Sequence, residues 1–430
     1  MSKSVVLLTV LIFLTTSFII APLPVNASKT IIVPDDYSTI TAAVENARDG
    51  DTIFVRNGTY REQALVINNT ITLVGEGANN CRITNIDVIP EWDRDLYPIF
   101  PPPPPVAIQI NADNVKISGF TINGIDSGYE PLEMLADGIQ IEDNIIEYSS
   151  TLRVHGDNNT IFGNTLNNIE SIGSYNKILH NILTGNASID GEIHLKGSYN
   201  IIFSNAINDV AVYGFYSGIH IEDDNNIIAK NNLTRSGPIE IEIGSKNIVL
   251  GNRLVDSGGL YITAGSDNVF VANHVENASV GTLVGGYSDK ASNNTLYHNN
   301  FINNTEQVET SYGVGSSNYF DNGREGNYWS DYAGEDTNGD GIGDTPYIIN
   351  YRSFVRKDNY PLMAPFNISA ATFEVPKWAT SVLSSLSTPS STAKPANPRQ
   401  FPIEIITAAS IGIVIVVGVC LLVYFKKRKQ

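Results

Sequence analysis

The sequence predicts an all-β protein whose fold is a right-handed parallel β-helix, a solenoid of short strands coiled around one axis. The first observation is a phrase that opens with an Asn and carries a second Asn five residues later, in seven copies within residues 157–305. Successive copies begin 17 to 26 residues apart, and self-similarity at such a period indicates a repeat architecture. The second observation is that apolar and polar residues alternate in short runs between Asn, Asp, Gly and Ser corners, which indicates strands. The opening asparagines are Asn159, Asn176, Asn200, Asn226, Asn247, Asn268 and Asn294.

Stacking is what stabilises such repeats. One repeat cannot bury its own inner face, whereas stacked coils bury it together and pair their strands in parallel about 4.8 Å apart. The second Asn of each phrase then lies above its copies at a bend. We predict a ladder of Asn side chains there, because Asn tolerates left-handed corner backbone and its amide pairs with backbone groups.

The chain begins with the features of a secretory signal. Lys3 precedes an apolar run from Val5 to Ile20, and Val25-Asn-Ala27 offers a small-residue cleavage site. Residues 1–27 are therefore predicted to be a signal peptide, with an uncleaved N-terminal anchor as the alternative. The β-helix is predicted over residues 28–366, with an Asp-rich C-terminal cap at residues 321–366.

A short helix near the start is predicted to cap the solenoid. Ser38 can N-cap a helix whose apolar face is Ile40, Ala43, Val44 and Ala47. The open end of a solenoid exposes apolar core, so an amphipathic helix over the first coil has a clear purpose.

Several stretches resemble known families. The opening, Val33-Pro-Asp-Asp-Tyr-Ser-Thr-Ile40 with Gly58-Thr-Tyr-Arg-Glu62, resembles that of pectin-lyase-like β-helix proteins and of pectin methylesterases. The later repeats resemble NosD-type repeats and those of the carbohydrate-binding and sugar-hydrolysis (CASH) β-helix family. The segment from Gly326 to Asp344, with Asp358-Asn-Tyr-Pro-Leu-Met-Ala-Pro-Phe366, resembles the C-terminal signature of NosD-like surface proteins. The resemblance implies the fold, but it brings no catalytic residues, since the active-site motifs of pectin methylesterases, polygalacturonases and pectate lyases do not occur.

The composition changes after Phe366. Residues 367–402 are predicted to be a Ser/Thr/Pro-rich stalk, residues 403–425 a transmembrane helix and residues 426–430 a basic tail. Ile405–Phe425 holds 21 residues without a charge, a helix of roughly 32 Å against a hydrocarbon core of about 30 Å. The positive residues that follow mark the cytoplasmic side. The chain is thus predicted to cross the cell membrane once, with the β-helix outside.

Charge and cysteine content limit the partners. The net charge of −18 disfavours nucleic acid, because duplex binding needs basic patches. One of the two cysteines, Cys420, lies in the apolar C-terminal run, so Cys81 has no partner for a disulfide in the predicted ectodomain. Nine glycosylation sequons occur there, at Asn57, Asn68, Asn158, Asn186, Asn232, Asn277, Asn293, Asn303 and Asn367.

A polar strip is predicted on the outside of the coils, because the strand before each Asn phrase alternates inward apolar and outward polar residues. Stacking places the outward side chains in two or three columns. Counted from their Asn phrases, Glu240 and Tyr261 are offset by one residue from Arg153, His194 and His220. The residues of the predicted carbohydrate-binding strip are Arg153, His155, His194, Lys196, His220, Glu222, Glu240, Glu242 and Tyr261.

Three interpretations of this strip stay open. It is an ordinary solvated face whose opposite charges support each other across strands, a surface that contacts glycan without catalysis, or a catalytic groove. For catalysis, Glu222, Glu240 and Glu242 are the candidate acids of a hydrolase, and Lys or Arg with bound Ca²⁺ would suit a lyase. The expected function is therefore binding or organising surface carbohydrate. The alternatives are a polysaccharide-cleaving enzyme and a surface scaffold or adhesin that contacts other surface proteins.

Two metals require separate consideration. Asp336, Asn338, Asp340 and Asp344 occupy places 1, 3, 5 and 9 of a Ca²⁺ loop, so a structural calcium site is predicted, with a plain acidic turn as the alternative. Place 12 is Tyr347 instead of Glu, which removes the bidentate ligand. For copper, which the NosD resemblance implies, the sequence offers no thiol or thioether cluster. Of the six histidines, His194 and His220 are the pair expected to stack on adjacent coils.

Overall fold

The computed structural model of the chain describes residues 28–62, 64–85, 106–123, 130–147, 151–185, 191–208, 218–285, 291–309, 318–351, 354–370 and 376–386. The chain divides into two compact units between Ala371 and Thr372. The first unit is a parallel β-helix, which confirms the predicted fold.

Three long parallel sheets form the walls of the solenoid, and each coil contributes one strand to each sheet. The first sheet contains Thr30–Val33, Thr52–Val55, Thr72–Gly75, Lys116–Ser118, Gln140–Glu142, Thr160–Phe162, Lys177–Leu179, Ile201–Phe203, Ile227–Ala229, Ile248–Leu250, Val269–Val271 and Thr295–Tyr297. The second contains Gly58–Glu62, Cys81–Asn85, Thr121–Asn123, Ile145–Glu147, Thr165–Leu166, Ile182–Thr184, Ala206–Asn208, Asn232–Thr234, Arg253–Val255, His274–Glu276, Asn300–Ile302 and Tyr328–Trp329. The third contains Leu65–Ile67, Val106–Ile110, Glu130–Met134, Thr151–His155, Asn168–Ile172, Glu192–Lys196, Gly218–Ile221, Ile239–Ile241, Leu260–Ile262, Val280–Val284 and Glu306–Glu309. A short parallel pair, Gly265–Ser266 with Ala291–Ser292, lies outside these sheets.

The core is a stack of branched aliphatic side chains that point inward from all three sheets. On the third sheet, Ile193, Ile219 and Ile239 lie in register on consecutive coils and are at most 1% exposed. β-Branched residues favour strands and fill the space between coils. The same alternation that buries these residues turns their neighbours outward, which is what creates the polar columns of the third sheet.

Both asparagines of the repeated phrase form buried ladders. The second Asn of each phrase forms the predicted ladder, which is confirmed and which we call the second ladder, and the opening asparagines form a first ladder that was not predicted. In the second ladder, the backbone N–H of Asn181 donates to Oδ1 of Asn205 at 2.9 Å, and Asn205 Nδ2 donates to the carbonyl of Ile178 at 2.8 Å. In all seven phrases the residue before each of the two asparagines has a positive φ, for example 57° at Ser204. These corners therefore satisfy their backbone groups with side-chain amides, while the strands pair with one another.

The N-terminal cap is a helix at Ile40–Asn46, as predicted, but its N-cap is Thr39 and not Ser38. The Thr39 hydroxyl accepts a hydrogen bond from the backbone N–H of Ala42, because Thr39 is extended where the helical backbone begins. The carboxylate of Glu62 accepts from the N–H groups of Ile40 and Thr41 and so fixes the first turn to the second sheet. Ile40 is fully buried, so the helix covers the first coil.

The C-terminal cap is an antiparallel hairpin, Tyr347–Tyr351 with Phe354–Asp358, together with the strand Tyr328–Trp329. Trp329 stacks between Phe301 of the last full coil and Tyr347 of the hairpin, with ring centroids 4.6 Å apart in both pairs. The Asp358 carboxylate is fully buried and accepts hydrogen bonds from Asn327 N, Trp329 Nε1 and Tyr360 N. The last Asn of the second ladder, Asn327, therefore donates its backbone N–H to a carboxylate instead of to another Asn.

The segment after the solenoid contains a 3-10 turn at Ile368–Ala370 and a helix at Lys377–Leu386, both within the region predicted as an irregular stalk. None of the helices in the described part of the chain combines the length and apolarity needed to cross a membrane. The predicted signal peptide (1–27), transmembrane helix (403–425) and basic tail (426–430) lie outside the described residues, and they stay predictions.

Candidate functional site

One column of the third sheet carries most of the predicted strip. Its side chains pair in register from coil to coil, so that each lies directly above the next. The column consists of Gln109, Glu133, Arg153, Glu170, His194, His220, Glu240, Tyr261, Leu283 and Glu309. Glu240 and Tyr261 thus share the column of His220 despite their different offset from the Asn phrases. The extra residue is absorbed in the corner, where Gly265, for example, adopts a φ of 108°.

The neighbouring column is shorter and less uniform. His155 pairs in register with Ile172, which pairs with Lys196. Ile172 is exposed and apolar, so it separates His155 from the other predicted residues of the strip. Arg153 is likewise paired locally, through a 3.2 Å ion pair with Glu170. His155 and Arg153 therefore lie on the same sheet as the cluster described next, but outside that cluster.

Six predicted residues converge on three consecutive coils, and we call them the histidine–carboxylate cluster: His194, Lys196, His220, Glu222, Glu240 and Glu242. The rings of His194 and His220 meet edge to face with centroids 4.9 Å apart. His194 Nε2 lies 2.7 Å from Glu222 Oε1, and His220 Nε2 lies 2.6 Å from Glu242 Oε2. The expectation that these two histidines stack on adjacent coils is confirmed.

Further contacts tie the rest of the cluster together. His220 Nδ1 lies 3.7 Å from Glu240 Oε2, and Lys196 Nζ lies 3.5 Å from Glu222 Oε1. The hydroxyl of Thr263, on the next coil, donates to Glu240 Oε1 at 2.6 Å. The His220 side chain is only 5% exposed, whereas that of Glu222 is 31% exposed, so the cluster has a buried floor and an open edge.

The environment shifts the pKa values of the cluster in a consistent way. At His220, burial acts to lower the pKa, but the carboxylates of Glu240 and Glu242 outweigh it and raise the pKa. At His194, burial prevails over the hydrogen bond to Glu222 and lowers the pKa. Burial acts to raise the pKa of Glu222 and Glu240, yet their histidine partners reverse this and hold both values below the usual range. His220 therefore holds its proton more tightly than His194 does.

An aromatic pair at the edge of the third sheet was not predicted. Tyr175 and Tyr199 occupy the corner after this sheet on consecutive coils, and their rings stack with centroids 5.1 Å apart and planes within 7°. Tyr175 is 47% exposed. The signal was present in the sequence, since two consecutive repeats share Ser-Tyr-Asn at Ser174 and Ser198.

The acidic loop of residues 336–344 folds onto its own backbone. The Asp336 carboxylate accepts hydrogen bonds from the N–H groups of Gly339 and Gly341, and Asp344 accepts one from Thr337. Asn338 Nδ2 donates to Asp340 Oδ2 at 3.0 Å. All four predicted ligands lie in one turn, and their oxygens are engaged within the loop.

Among the residues that the structure describes, one group of three or more His, Cys, Asp or Glu side chains brings its donor atoms within 4.8 Å of one another. This group is His194, His220 and Glu222. The three acidic side chains of the loop at residues 336–344 do not meet this criterion.

Comparison with known proteins gives one family match. Residues 172–334 match the family described as periplasmic copper-binding protein (NosD). No curated protein matches. Among solved structures, the chain is similar to the PL6 family polysaccharide lyase Pedsa3628 from Pseudopedobacter saltans, with 14% identity and a TM-score of 0.44 over 69% of this chain and 93% of that one. It is also similar to the catalytic domain of a GH87 α-1,3-glucanase in complex with nigerose, with 11% identity and a TM-score of 0.47 over 71% of this chain and 70% of that one. The A-module of an Azotobacter vinelandii mannuronan C-5 epimerase gives 12% identity and a TM-score of 0.40 over 64% of this chain and 93% of that one.

The family description names copper, and the side chains of the described residues can be compared with the ligands that copper prefers. Cys81 is fully buried in the core, and burial raises the pKa of its thiol to about 11, which keeps it protonated and away from metals. Copper(I) prefers thiolate and thioether ligands, whereas imidazole and carboxylate suit divalent ions such as Cu²⁺ and Zn²⁺. The residues that fit a transition metal are therefore His194, His220 and Glu222, and they fit its divalent form.

The matched residues 172–334 include the last strand of the three sheets, Tyr328–Trp329, and the same sheets continue on the N-terminal side of the match to the strand Thr30–Val33. The β-helix is thus one continuous structure. The chain carries a NosD-like right-handed parallel β-helix.

Proposed function

We propose that the third sheet binds a linear surface polysaccharide along its polar column. The observation that carries the proposal is the stacked pair of an exposed Tyr175 and a half-buried Tyr199 at the edge of an in-register column of charged and hydrogen-bonding side chains. Aromatic rings present large rigid contact area to the apolar faces of sugars, and neighbouring polar groups provide orientation. A straight column with one step per coil suits a polymer with a regular repeat.

The charge state of the cluster favours binding over hydrolysis. A glycosidase needs one carboxylic acid whose pKa is raised so that it can protonate the leaving oxygen. The pKa values of Glu222 and Glu240 are instead held low by His194 and His220. These two carboxylates are therefore suited to accept hydrogen bonds from sugar hydroxyls and not to deliver a proton.

Removal of the aromatic edge tests this proposal. In the full chain, we expect Tyr175→Ala to weaken retention on a bound polysaccharide by about tenfold or more, which corresponds to ~1.4 kcal/mol. Affinity is measured on a panel of immobilised neutral and uronic polysaccharides, and reducing ends and unsaturated products are followed in the same samples. The matched control is Tyr319→Ala, since Tyr319 is exposed to a similar extent but bridges to the first sheet. Equal losses for the two variants would contradict the proposal, and release of product would favour the enzyme interpretation.

We further propose that the β-helix is displayed outside the cell on a single membrane span at residues 403–425. The support is the uncharged run Ile405–Phe425 followed by four basic residues. Protease added to intact cells is expected to remove the β-helix and leave a tagged C-terminus protected. Protection of the whole chain would count against this topology.

Calcium at residues 336–344 is a third proposal, supported by the spacing of Asp336, Asn338, Asp340 and Asp344 within one turn. The loop is joined to the C-terminal cap by hydrogen bonds from Gly343 N to Pro361 O and from Met363 N to Gly341 O. A bound cation would thus stabilise the cap, so chelation of Ca²⁺ is expected to lower the melting temperature by about 2 °C or more. Asp340→Asn is expected to abolish the response to chelator. An unchanged melting temperature in the wild-type protein would identify the loop as a plain turn.

A further inference from the structure

We propose that His194, His220 and Glu222 form a binding site for one divalent transition metal of the zinc class. His194 and His220 are register partners on neighbouring strands of the third sheet, and Glu222 directly follows the second of these strands. This site uses side chains of the same polar face, but its test depends neither on polysaccharide binding nor on the calcium loop.

The donor atoms are already close to the geometry that zinc requires. One donor atom from each of His194, His220 and Glu222 lies within 4.8 Å of the other two. Glu222 Oε1 is 2.7 Å from His194 Nε2 and 3.9 Å from His220 Nε2. Tetrahedral zinc with bonds of about 2.1 Å needs donors about 3.4 Å apart. Small rotations of side chains on two paired strands would close this gap, and paired strands hold such groups more accurately than loops do.

A second shell is present behind the more buried ligand. Metal-bound histidines usually donate their other ring N–H to a carboxylate, which fixes the ring and its tautomer. His220 Nδ1 faces Glu240 Oε2 at 3.7 Å, and Glu240 is itself held by the Thr263 hydroxyl at 2.6 Å. Glu242 Oε2, 2.6 Å from His220 Nε2, lies beside the position of a fourth ligand. Each ring nitrogen of His220 therefore faces a carboxylate. Glu240 is suited to orient the ring, and Glu242 is suited to bind the same metal ion.

Ordinary ion pairing leaves this concentration of donors unexplained. Two other histidines of the chain show what a simple pair looks like: His274 with Glu276 at 3.1 Å and His298 with Glu325 at 2.6 Å. The cluster instead brings donor atoms of two imidazoles and one carboxylate within 4.8 Å of one another. Lys196, 3.5 Å from Glu222 Oε1, now supplies positive charge at that point, and a divalent ion would take its place.

The experiment measures Zn²⁺ binding to the full chain, purified in detergent and freed of metal, in the presence of excess Ca²⁺ to saturate hard oxygen sites. We expect one Zn²⁺ per chain. With Co²⁺ as the probe, we expect a visible absorption band of tetrahedral type. His194→Asn and Glu222→Gln, both at partly exposed positions, are expected to weaken Zn²⁺ binding by about 100-fold or more. Glu240→Gln, which alters only the positioning carboxylate, is expected to weaken it by about 10- to 100-fold.

Two further variants separate a metal site from a charge cluster. Lys196→Met removes the competing cation and is expected to tighten Zn²⁺ binding several-fold. His298→Ala removes the histidine of a simple pair and is expected to leave both the affinity and the stoichiometry unchanged. Circular dichroism and the melting temperature establish that each variant is folded. The proposal is overturned if folded His194→Asn binds Zn²⁺ as tightly as the wild type, or if the wild type shows no saturable site.

Discussion

Asn205→Leu is expected to destabilise the protein by about 3–6 kcal/mol, because two or three buried polar groups lose their hydrogen-bond partners at ~1–3 kcal/mol each. Asn205 lies in the middle of the second ladder and is 1% exposed. Its Oδ1 accepts from both the backbone N–H and the side-chain amide of Asn181, and its Nδ2 donates to Ile178 O. Leu fills a similar volume but leaves these groups buried without partners. The urea midpoint of unfolding measures the effect.

A matched control is Asn232, which directly follows the ladder residue Asn231. Its backbone N–H donates to Asn205 O, but its side chain is exposed on the second sheet, in the strand Asn232–Thr234. Asn232→Leu is expected to change stability by no more than about 0.5 kcal/mol, as is usual for surface positions. If both variants shifted the midpoint equally, the ladder would not be the source of corner stability.

Asp358→Asn is expected to destabilise the C-terminal cap, and by an amount that depends on pH. The Asp358 carboxylate accepts three hydrogen bonds, two of them at Oδ2 from Asn327 N and Trp329 Nε1. An Asn side chain has one acceptor oxygen, so its NH₂ group must face an N–H donor at the other position. We expect a loss of about 2–4 kcal/mol at acidic pH, for one or two unpaired buried donors.

The pH dependence follows from burial, which raises the pKa of Asp358 from 3.8 to about 6. A raised folded-state pKa means that the contribution of this group is fully present below pH 3.8 and is lost as the pH rises through about 6. Two pKa units correspond to ~3 kcal/mol. The stability difference between the wild type and Asp358→Asn is therefore expected to narrow between pH 4 and pH 7. Urea midpoints of the two proteins at each pH measure it, and a constant difference would show that Asp358 does not titrate in this range.

Much of the architecture is predictable from the sequence because the repeat carries its own geometry. The Asn spacing identified the coils and one ladder, and alternation identified which side chains of the third sheet face outward. His194 and His220 could be paired in advance because both precede an Asn by six residues. Repetition makes such inferences secure, since each coil restates the same relation between strand and corner.

Features without repetition were harder to predict. The register of Glu240 depends on a corner that is one residue longer than the corner after His220. The repeat length alone does not show whether the extra residue lies in the strand or in the corner. The role of Asp358 depends on a contact across 31 residues with Asn327, which no local pattern announces. Ser38 and Thr39 are both good N-caps, and the choice of Thr39 depends on where the chain leaves its extended conformation.

The Asn ladders also determine how the molecule can change its length. Each coil from Asn159 to Asn299 supplies its own ladder amides and accepts those of its neighbour, while the helix Ile40–Asn46 and the hairpin ending at Asp358 contact the ends of the solenoid. A coil can therefore be added or removed between the caps without altering either closure, provided that both asparagines come with it. The third sheet then lengthens in whole steps of about 4.8 Å. The length of the outer face is therefore set by the number of repeats, without any change to the side chains of the existing coils.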